Sequence, residues 1–179
     1  MRKVNEIFYS LQGEGYHTGV PAVFIRFSGC NLACPFCDTL HQEGRLMADD
    51  EIIAAAGQYH APLVVLTGGE PSLWIDDAFV GALKAATGAV IAIETNGTHP
   101  LPGNIDWVTL SPKTGIAGRD GADLPIVIPR ADEIKVVDLG QDLEQYFALP
   151  CRRETTRMFL QPCYVSDEAQ AAANTRRTV

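Results

Sequence analysis

The chain has 179 residues, 46% of them hydrophobic and 20% charged, proportions ordinary for a folded domain with a sizeable core. Its formal charge of −8 argues against a broad phosphate-binding surface, and so against direct nucleic-acid binding, while leaving room for a small electropositive pocket. No segment approaches the roughly 20 uninterrupted apolar residues of a membrane span, and the opening MRKVNEIFYSLQGEG has no apolar core of a signal peptide.

In chain order, AVFIRFSG (22–29) is rich in β-branched and aromatic residues and ends on glycine, which predicts a strand. DDEIIAAAGQYH (49–60) opens on two aspartates suited to capping and spaces Ile52, Ile53, Ala56 and Tyr59 as a helix would. PLVVLTGGEP (62–71) is a short apolar run halted by glycines, the pattern of a strand buried on both faces. DDAFVGALKAATG (76–88) predicts a helix closed by Gly88. AVIAIETNG (89–97), DWVTLSP (106–112) and EIKVV (133–137) read as strands, DLEQYFAL (142–149) as a short helix and RMFLQP (157–162) as a strand. A last helix is expected from Ser166 as its cap, with two acids in the first turn.

Six strands with helical crossovers imply an α/β fold: a partial, incomplete β/α barrel of about six mostly parallel strands with few helices, since a full eight-unit barrel takes about 250 residues. No repeat or linker interrupts 1–179, so one domain is expected. In such folds ligands bind at the carboxyl ends of the strands. The polar and glycine-rich stretches fall there: Cys30, Thr67-Gly68-Gly69-Glu70, Glu94-Thr95-Asn96-Gly97, Ser111-Pro112-Lys113 and Gln161-Pro162.

Of the five cysteines, Cys30, Cys34 and Cys37 form C-x3-C-x2-C. An odd cysteine count without an export signal points to a reducing cytoplasm, where clustered thiols are metal ligands or catalysts rather than disulfides. Soft thiolates select zinc, copper(I) or iron–sulfur clusters. Four would saturate a [4Fe–4S] cube, whereas three leave one iron open. The competing reading is a zinc knob completed by His41 or Cys163. Cys151 and Cys163 otherwise read as small buried hydrophobes, and His17, His41, His60 and His99 as surface or capping residues. The glycines of TGGEP offer close backbone approach to a ligand, or simply a tight strand-to-helix turn. Arg26 alternates with Val23, Ile25 and Phe27 on a strand expected to be buried on both faces, so its guanidinium needs a partner. A planar ligand carboxylate suits it; an internal pair with Glu94 or Glu14 is the alternative.

C-x3-C-x2-C after a first core strand, Phe36 before the third cysteine, and GGEP after the second strand resemble the radical S-adenosylmethionine (SAM) superfamily. NEIFYSLQGEG, PAVFIRFSGCN, Asp38-Thr39 and ETNGT followed by WVTLSPK resemble, within it, the 7-carboxy-7-deazaguanine synthase family, from near Asn5 to about Pro162. The resemblance implies that Cys30, Cys34 and Cys37 hold three irons of a [4Fe–4S] cluster whose fourth iron binds SAM. It implies conversion of 6-carboxy-5,6,7,8-tetrahydropterin to 7-carboxy-7-deazaguanine with loss of ammonia. It places SAM against Phe36, Gly69, Ser111, Pro112, Lys113, Gln161 and Pro162. The substrate falls to Leu11, Gln12, Gly13, Arg26, Thr67 and Glu94, and Mg2+ to Thr39, where residue chemistry alone favours Asp38. An electron donor such as flavodoxin or ferredoxin, a homodimer and a cytoplasmic setting are further implications. The resemblance also implies a carboxyl-terminal segment over the substrate, and the expectation is either that it lies beyond Val179 or that this member lacks it. Within enzymes, a glycyl-radical activating enzyme shares the cysteine spacing; outside them, a noncatalytic zinc-binding interaction module would use it too.

Overall fold

A computed structural model of the chain describes residues 1–37, 39, 43–122 and 124–179. Eight strands form one sheet: β1 (Arg2–Leu11), β2 (Pro21–Phe27), β3 (Arg45–Met47), β4 (Leu63–Gly68), β5 (Val90–Thr95), β6 (Trp107–Leu110), β7 (Glu133–Asp138) and β8 (Arg157–Pro162). Their order is β3-β1-β2-β4-β5-β6-β7-β8. The six expected strands, β2 and β4 to β8, run parallel, whereas β1 is antiparallel to β2 and β3 antiparallel to β1. The sheet is open: β3 and β8 are its edges, as an incomplete barrel requires.

Three helices accompany it among the described residues: α1 (Asp49–Gly57), α2 (Asp77–Thr87) and α3 (Glu168–Thr178). The expected first helix ends earlier than its spacing suggests, so Tyr59 lies beyond it, stacked on Tyr9 with ring centroids 5.5 Å apart. The α1 N-terminus is closed by Glu51, whose carboxylate accepts the Ala48 N–H at 2.7 Å, rather than by the two aspartates. Helix α2 ends as expected on Gly88 in the left-handed region. The short helix expected at 142–149 is a 3₁₀ helix over Glu144–Ala148. One expectation needs correction. The cap of α3 is Asp167, which accepts the Gln170 N–H at 2.7 Å, so Ser166 lies outside and Glu168 alone remains as an acid in the first turn.

Alternation along the strands divides the core into two layers. On the outer face Val23, Ile25, Phe27, Val64, Leu66, Ile91 and Ile93 pack with Ile52, Phe79, Val80 and Leu83 of the helices. On the inner face Ala22, Phe24, Leu63, Val65 and Ala92 make a smaller apolar cluster with Phe8, Val20 and Trp107. Two residues further along, that face turns polar. Arg26 pairs in register with Thr67, and Glu94 with Thr109, which pairs with Glu133. The apolar layer thus floors a polar row near the carboxyl ends.

Candidate active site

Above that row is a cavity of about 270 Å³. Its walls bring together thirteen of the seventeen residues singled out for cluster, cofactor, magnesium or substrate: Arg26, Cys30, Cys34, Phe36, Cys37, Thr39, Thr67, Gly69, Glu94, Ser111, Lys113, Gln161 and Pro162. Gln12 lies behind the wall and reaches it through a 3.2 Å hydrogen bond to Glu94 Oε1. Pro112 is buried off the wall, and Leu11, 60% exposed at the end of β1, and Gly13 are likewise outside it. Asp38 and His41 lie outside the described residues.

The cysteine loop is held by the two strand ends beside it. Gly69 N–H donates to the Phe27 carbonyl at 3.0 Å and Glu70 N–H to the Gly29 carbonyl at 2.9 Å. A Cβ on Gly68 would collide with the Phe27 carbonyl oxygen and one on Gly69 with that of Gly29, and Gly68 has φ +115° besides. The glycines of TGGEP therefore answer first to the backbone that leads into Cys30. Glu70, fully buried, accepts from Ser72 N–H (3.1 Å), Ser72 Oγ (2.6 Å), Thr95 Oγ1 (2.7 Å) and Asn96 N–H (2.8 Å). Asn96 Nδ2 then donates to Asn31 Oδ1 at 2.9 Å, and Asn31 Nδ2 to Thr98 Oγ1 at 2.8 Å. Arg119 Nε closes the other side on the Cys30 carbonyl at 2.8 Å.

Among the thiols, Cys30 and Cys34 are half-buried and Cys37 is exposed. Burial pushes the Cys30 thiol up, with Glu70, Cys34 and Cys37 adding to it against the N–H of Leu32. Burial also raises Cys34, opposed by Lys113. These thiols would give up protons on binding metal. Among the described residues no three His, Cys, Asp or Glu side chains converge on a point that would clasp a single ion. Three thiols spread along one wall of a cavity, with no fourth carried by their loop, suit a larger group with an open corner. Lys113 lies 5.4 Å from the Phe36 ring centroid, beside this wall.

Across the cavity, Arg26 departs from expectation. Its side chain is 42% exposed, because the open sheet leaves the inner face uncovered, and it pairs with Glu6 at 2.8 Å rather than with Glu94 or Glu14. Its guanidinium also lies 5.2 Å from the Phe8 ring centroid. Glu94 and Glu14 are taken instead by Lys135, at 2.9 and 2.7 Å. Glu94 Oε2 accepts from Thr67 Oγ1 at 2.9 Å, and Glu14 Oε1 from Gln161 Nε2. Burial raises Glu94, but the Lys135 charge and hydrogen bonds from Lys135, Thr67 and Gln12 outweigh it and hold the carboxyl below its ordinary range. Burial likewise opposes the charge on Lys135, and the two carboxylates more than restore it.

Lys135, Glu14 and Asn96 also line the cavity; of these, sequence reasoning places Asn96 at a ligand-binding strand end and Glu14 only as an alternative partner of Arg26, and gives Lys135 no part there. The signal for Lys135 was present: a lysine inside the apolar strand EIKVV must find a counter-charge. Cys163, expected as a buried hydrophobe, is half-buried on the cavity wall, whereas Cys151 is fully buried as expected.

A family model described as the radical SAM superfamily matches residues 24–115, from β2 to just past Lys113. The chain is 60% identical over 169 residues to a 7-carboxy-7-deazaguanine synthase of Bacteroides thetaiotaomicron, covering 94% of this chain and 86% of the relative. It is 44% identical over 157 residues to the enzyme of the same name from Burkholderia multivorans, covering 75% of this chain and 70% of the relative. The crystal structure of QueE from Escherichia coli superposes with a TM-score of 0.78 at 32% identity, over 99% of this chain and 87% of that one.

Proposed function

Since the chain belongs to the radical SAM superfamily and within it to the 7-carboxy-7-deazaguanine synthases, we propose that it converts 6-carboxy-5,6,7,8-tetrahydropterin to 7-carboxy-7-deazaguanine with release of ammonia. The observation that carries this reading is the 60% identity to an enzyme of that name over 94% of the chain. Neither a glycyl-radical activating enzyme nor a zinc-binding module draws support from these relatives.

Cys30, Cys34 and Cys37 would hold the [4Fe–4S] cluster that the family uses with SAM, consistent with three thiols on one wall. When bound, cluster and SAM supply an electron and a 5′-deoxyadenosyl radical that removes hydrogen from the substrate. The protein's own part is to bind, orient and shield. Phe36, Gly69, Ser111, Lys113, Gln161 and Pro162 on the wall, with Pro112 behind it, form the SAM side. Arg26 offers two N–H groups to the substrate carboxylate. Thr67 and Glu94 present an acceptor-rich row to the amino edge of the pterin, with Leu11, Gln12 and Gly13 completing the loop on that side. Thr39, on the wall next to Cys37, is the magnesium ligand in this reading, one hydroxyl among substrate and water oxygens.

A small electron donor such as flavodoxin or ferredoxin, a homodimer and a cytoplasmic setting belong to the same proposal. No described helix is long and apolar enough to cross a membrane.

The test is anaerobic reconstitution with iron and sulfide, followed by incubation with SAM, a reductant and carboxytetrahydropterin. Formation of the deazaguanine is expected. Cys30→Ala should abolish both sulfide retention and turnover, while Cys151→Ala should retain both. Stoichiometric zinc without sulfide, or no deazaguanine from sulfide-loaded protein, would overturn the proposal.

A further inference from the structure

The most deeply placed charge on the cavity wall is Lys135, whose side chain is 5% exposed. Its ammonium donates to Glu94 Oε1 at 2.9 Å and Glu14 Oε2 at 2.7 Å, joining β7 to β5 and to the loop between β1 and β2. Glu94 is 22% exposed, toward the cavity. Its Oε1 is occupied by Lys135 and Gln12, and its Oε2 by Thr67 alone. A carboxylate has about four acceptor positions, so one stays available on Oε2.

We propose that Lys135 is a positioning residue: it holds Glu94 ionised and fixed so that its remaining acceptor position takes an N–H from the 2-amino-pyrimidinone edge of the substrate. This deepens the function proposed above and rests on it. The chemistry is that of a specificity switch. An ionised Glu94 can only accept and selects a heterocycle edge rich in N–H donors; a protonated one presents a donor and rejects the same edge. In a site drained of water, losing the counter-charge would let burial push that carboxyl toward neutrality, where it would protonate.

The other charged groups around the pair are already engaged. Glu133, also on β7, accepts from Thr109 Oγ1 and from Tyr16 N–H, each at 2.8 Å. Arg26 on β2 is paired with Glu6, Lys113 past β6 lies over Phe36, and Arg157 at the start of β8 lies over Tyr16. Cys30, Cys34, Cys37, Cys163 and Tyr164 complete the titratable groups on the wall. Among the described residues no other cation bonds Glu94, so the dependence falls on Lys135.

The experiment titrates 7-carboxy-7-deazaguanine, which keeps the same edge, into cluster-loaded protein with SAM between pH 6 and 8.5. The wild type and Lys135→Arg should give a Kd independent of pH, within about threefold of each other. For Lys135→Met, Kd should approach the wild-type value at high pH and weaken about tenfold per unit below the raised pKa of Glu94, as a single protonation dictates. Because Lys135→Met leaves a buried carboxylate unpaired and could fail to fold, Glu94→Gln is compared with Glu94→Gln/Lys135→Met, which keeps no charge at either position. The double variant should bind no worse than about twofold below Glu94→Gln. A Lys135→Met loss equal at every pH, or a further large loss in the double variant, would overturn the proposal. If the wild type binds no product and turns over no pterin, the function itself is wrong; if it does both, these outcomes judge Lys135 alone.

Discussion

The Glu70 carboxylate accepts the Asn96 N–H at 2.8 Å and thereby ties the end of β4 to the end of β5. Asn96 in turn holds Asn31, the residue after Cys30, so one buried acid fixes the geometry of the cysteine loop from below.

Replacing Glu70 separates the two oxygens' work. Oε1 accepts three donors, from Ser72 N–H, Ser72 Oγ and Thr95 Oγ1, and Oε2 accepts only Asn96 N–H. Glu70→Gln can keep the first set but turns an NH₂ toward Asn96, and should cost about 1–2 kcal/mol. Glu70→Ala strands all four donors and should cost about 3 kcal/mol or more. Thermal unfolding of the metal-free protein measures the difference, and iron content after reconstitution should fall in the same order.

The close fit of Gly69 against Gly29 predicts that a single methyl group is enough to disturb the cluster loop. In Gly69→Ala the new Cβ meets the Gly29 carbonyl and the Cys30 N, both backbone, so neither can swing aside. A loss of about 1–3 kcal/mol is expected, with reduced iron retention. Gly57→Ala, with nothing within 4 Å at the end of α1, should leave iron content unchanged and add up to about 1 kcal/mol of stability.

How much of this was legible follows from burial. Strands β2 and β4 to β7 run parallel and are buried along much of their length, so their apolar runs stand out, and β8, only half-buried at the edge, is marked by its own apolar run MFL. Strand β1 carries no legible strand pattern, because a register shift between Val4 and Glu6 interrupts its alternation and its second half is mostly exposed. Strand β3 has three residues, too few for any period. Most site residues could be picked out because they follow predictable strand ends. What pairs with what could not: the open inner face gave Arg26 to Glu6 and left Glu94 and Glu14 to Lys135. Such pairings depend on sheet curvature and on the path of the β1–β2 loop, which no local pattern encodes.

The Arg26–Glu6 pair gives a kinetic prediction with little stability attached. Both side chains are near half-exposed, so the pair is worth about 0–1 kcal/mol. Arg26→Lys should leave unfolding almost unchanged yet raise the substrate KM about tenfold to a hundredfold, since a lysine cannot reproduce a bidentate carboxylate contact. Glu6→Gln removes the competing carboxylate and should lower KM about twofold to threefold with kcat unchanged. Normal KM in Arg26→Lys would remove Arg26 from the substrate site.

Helix α3 is fastened at its carboxyl end by one aspartate, which predicts how acid releases it. Arg177 Nε donates to Asp138 Oδ2 at 3.0 Å and Thr178 Oγ1 to the same oxygen at 2.8 Å. The Arg177 hydrogen bond, then the Gly140 N–H and Thr178, outweigh burial and hold Asp138 below its ordinary value of 3.8. A depressed carboxyl pKa stabilises the folded form above the unfolded value, and that contribution is lost as pH falls through the folded one. Docking of α3 should therefore be constant from neutral pH down to about 4 and weaken only below 3.8. Arg177→Ala should loosen the helix at every pH and flatten its acid response. Hydrogen exchange of the α3 amides, measured from pH 3 to 7 with correction for intrinsic rates, reads both effects; loss of protection already at pH 6 would mean that Asp138 is not the latch.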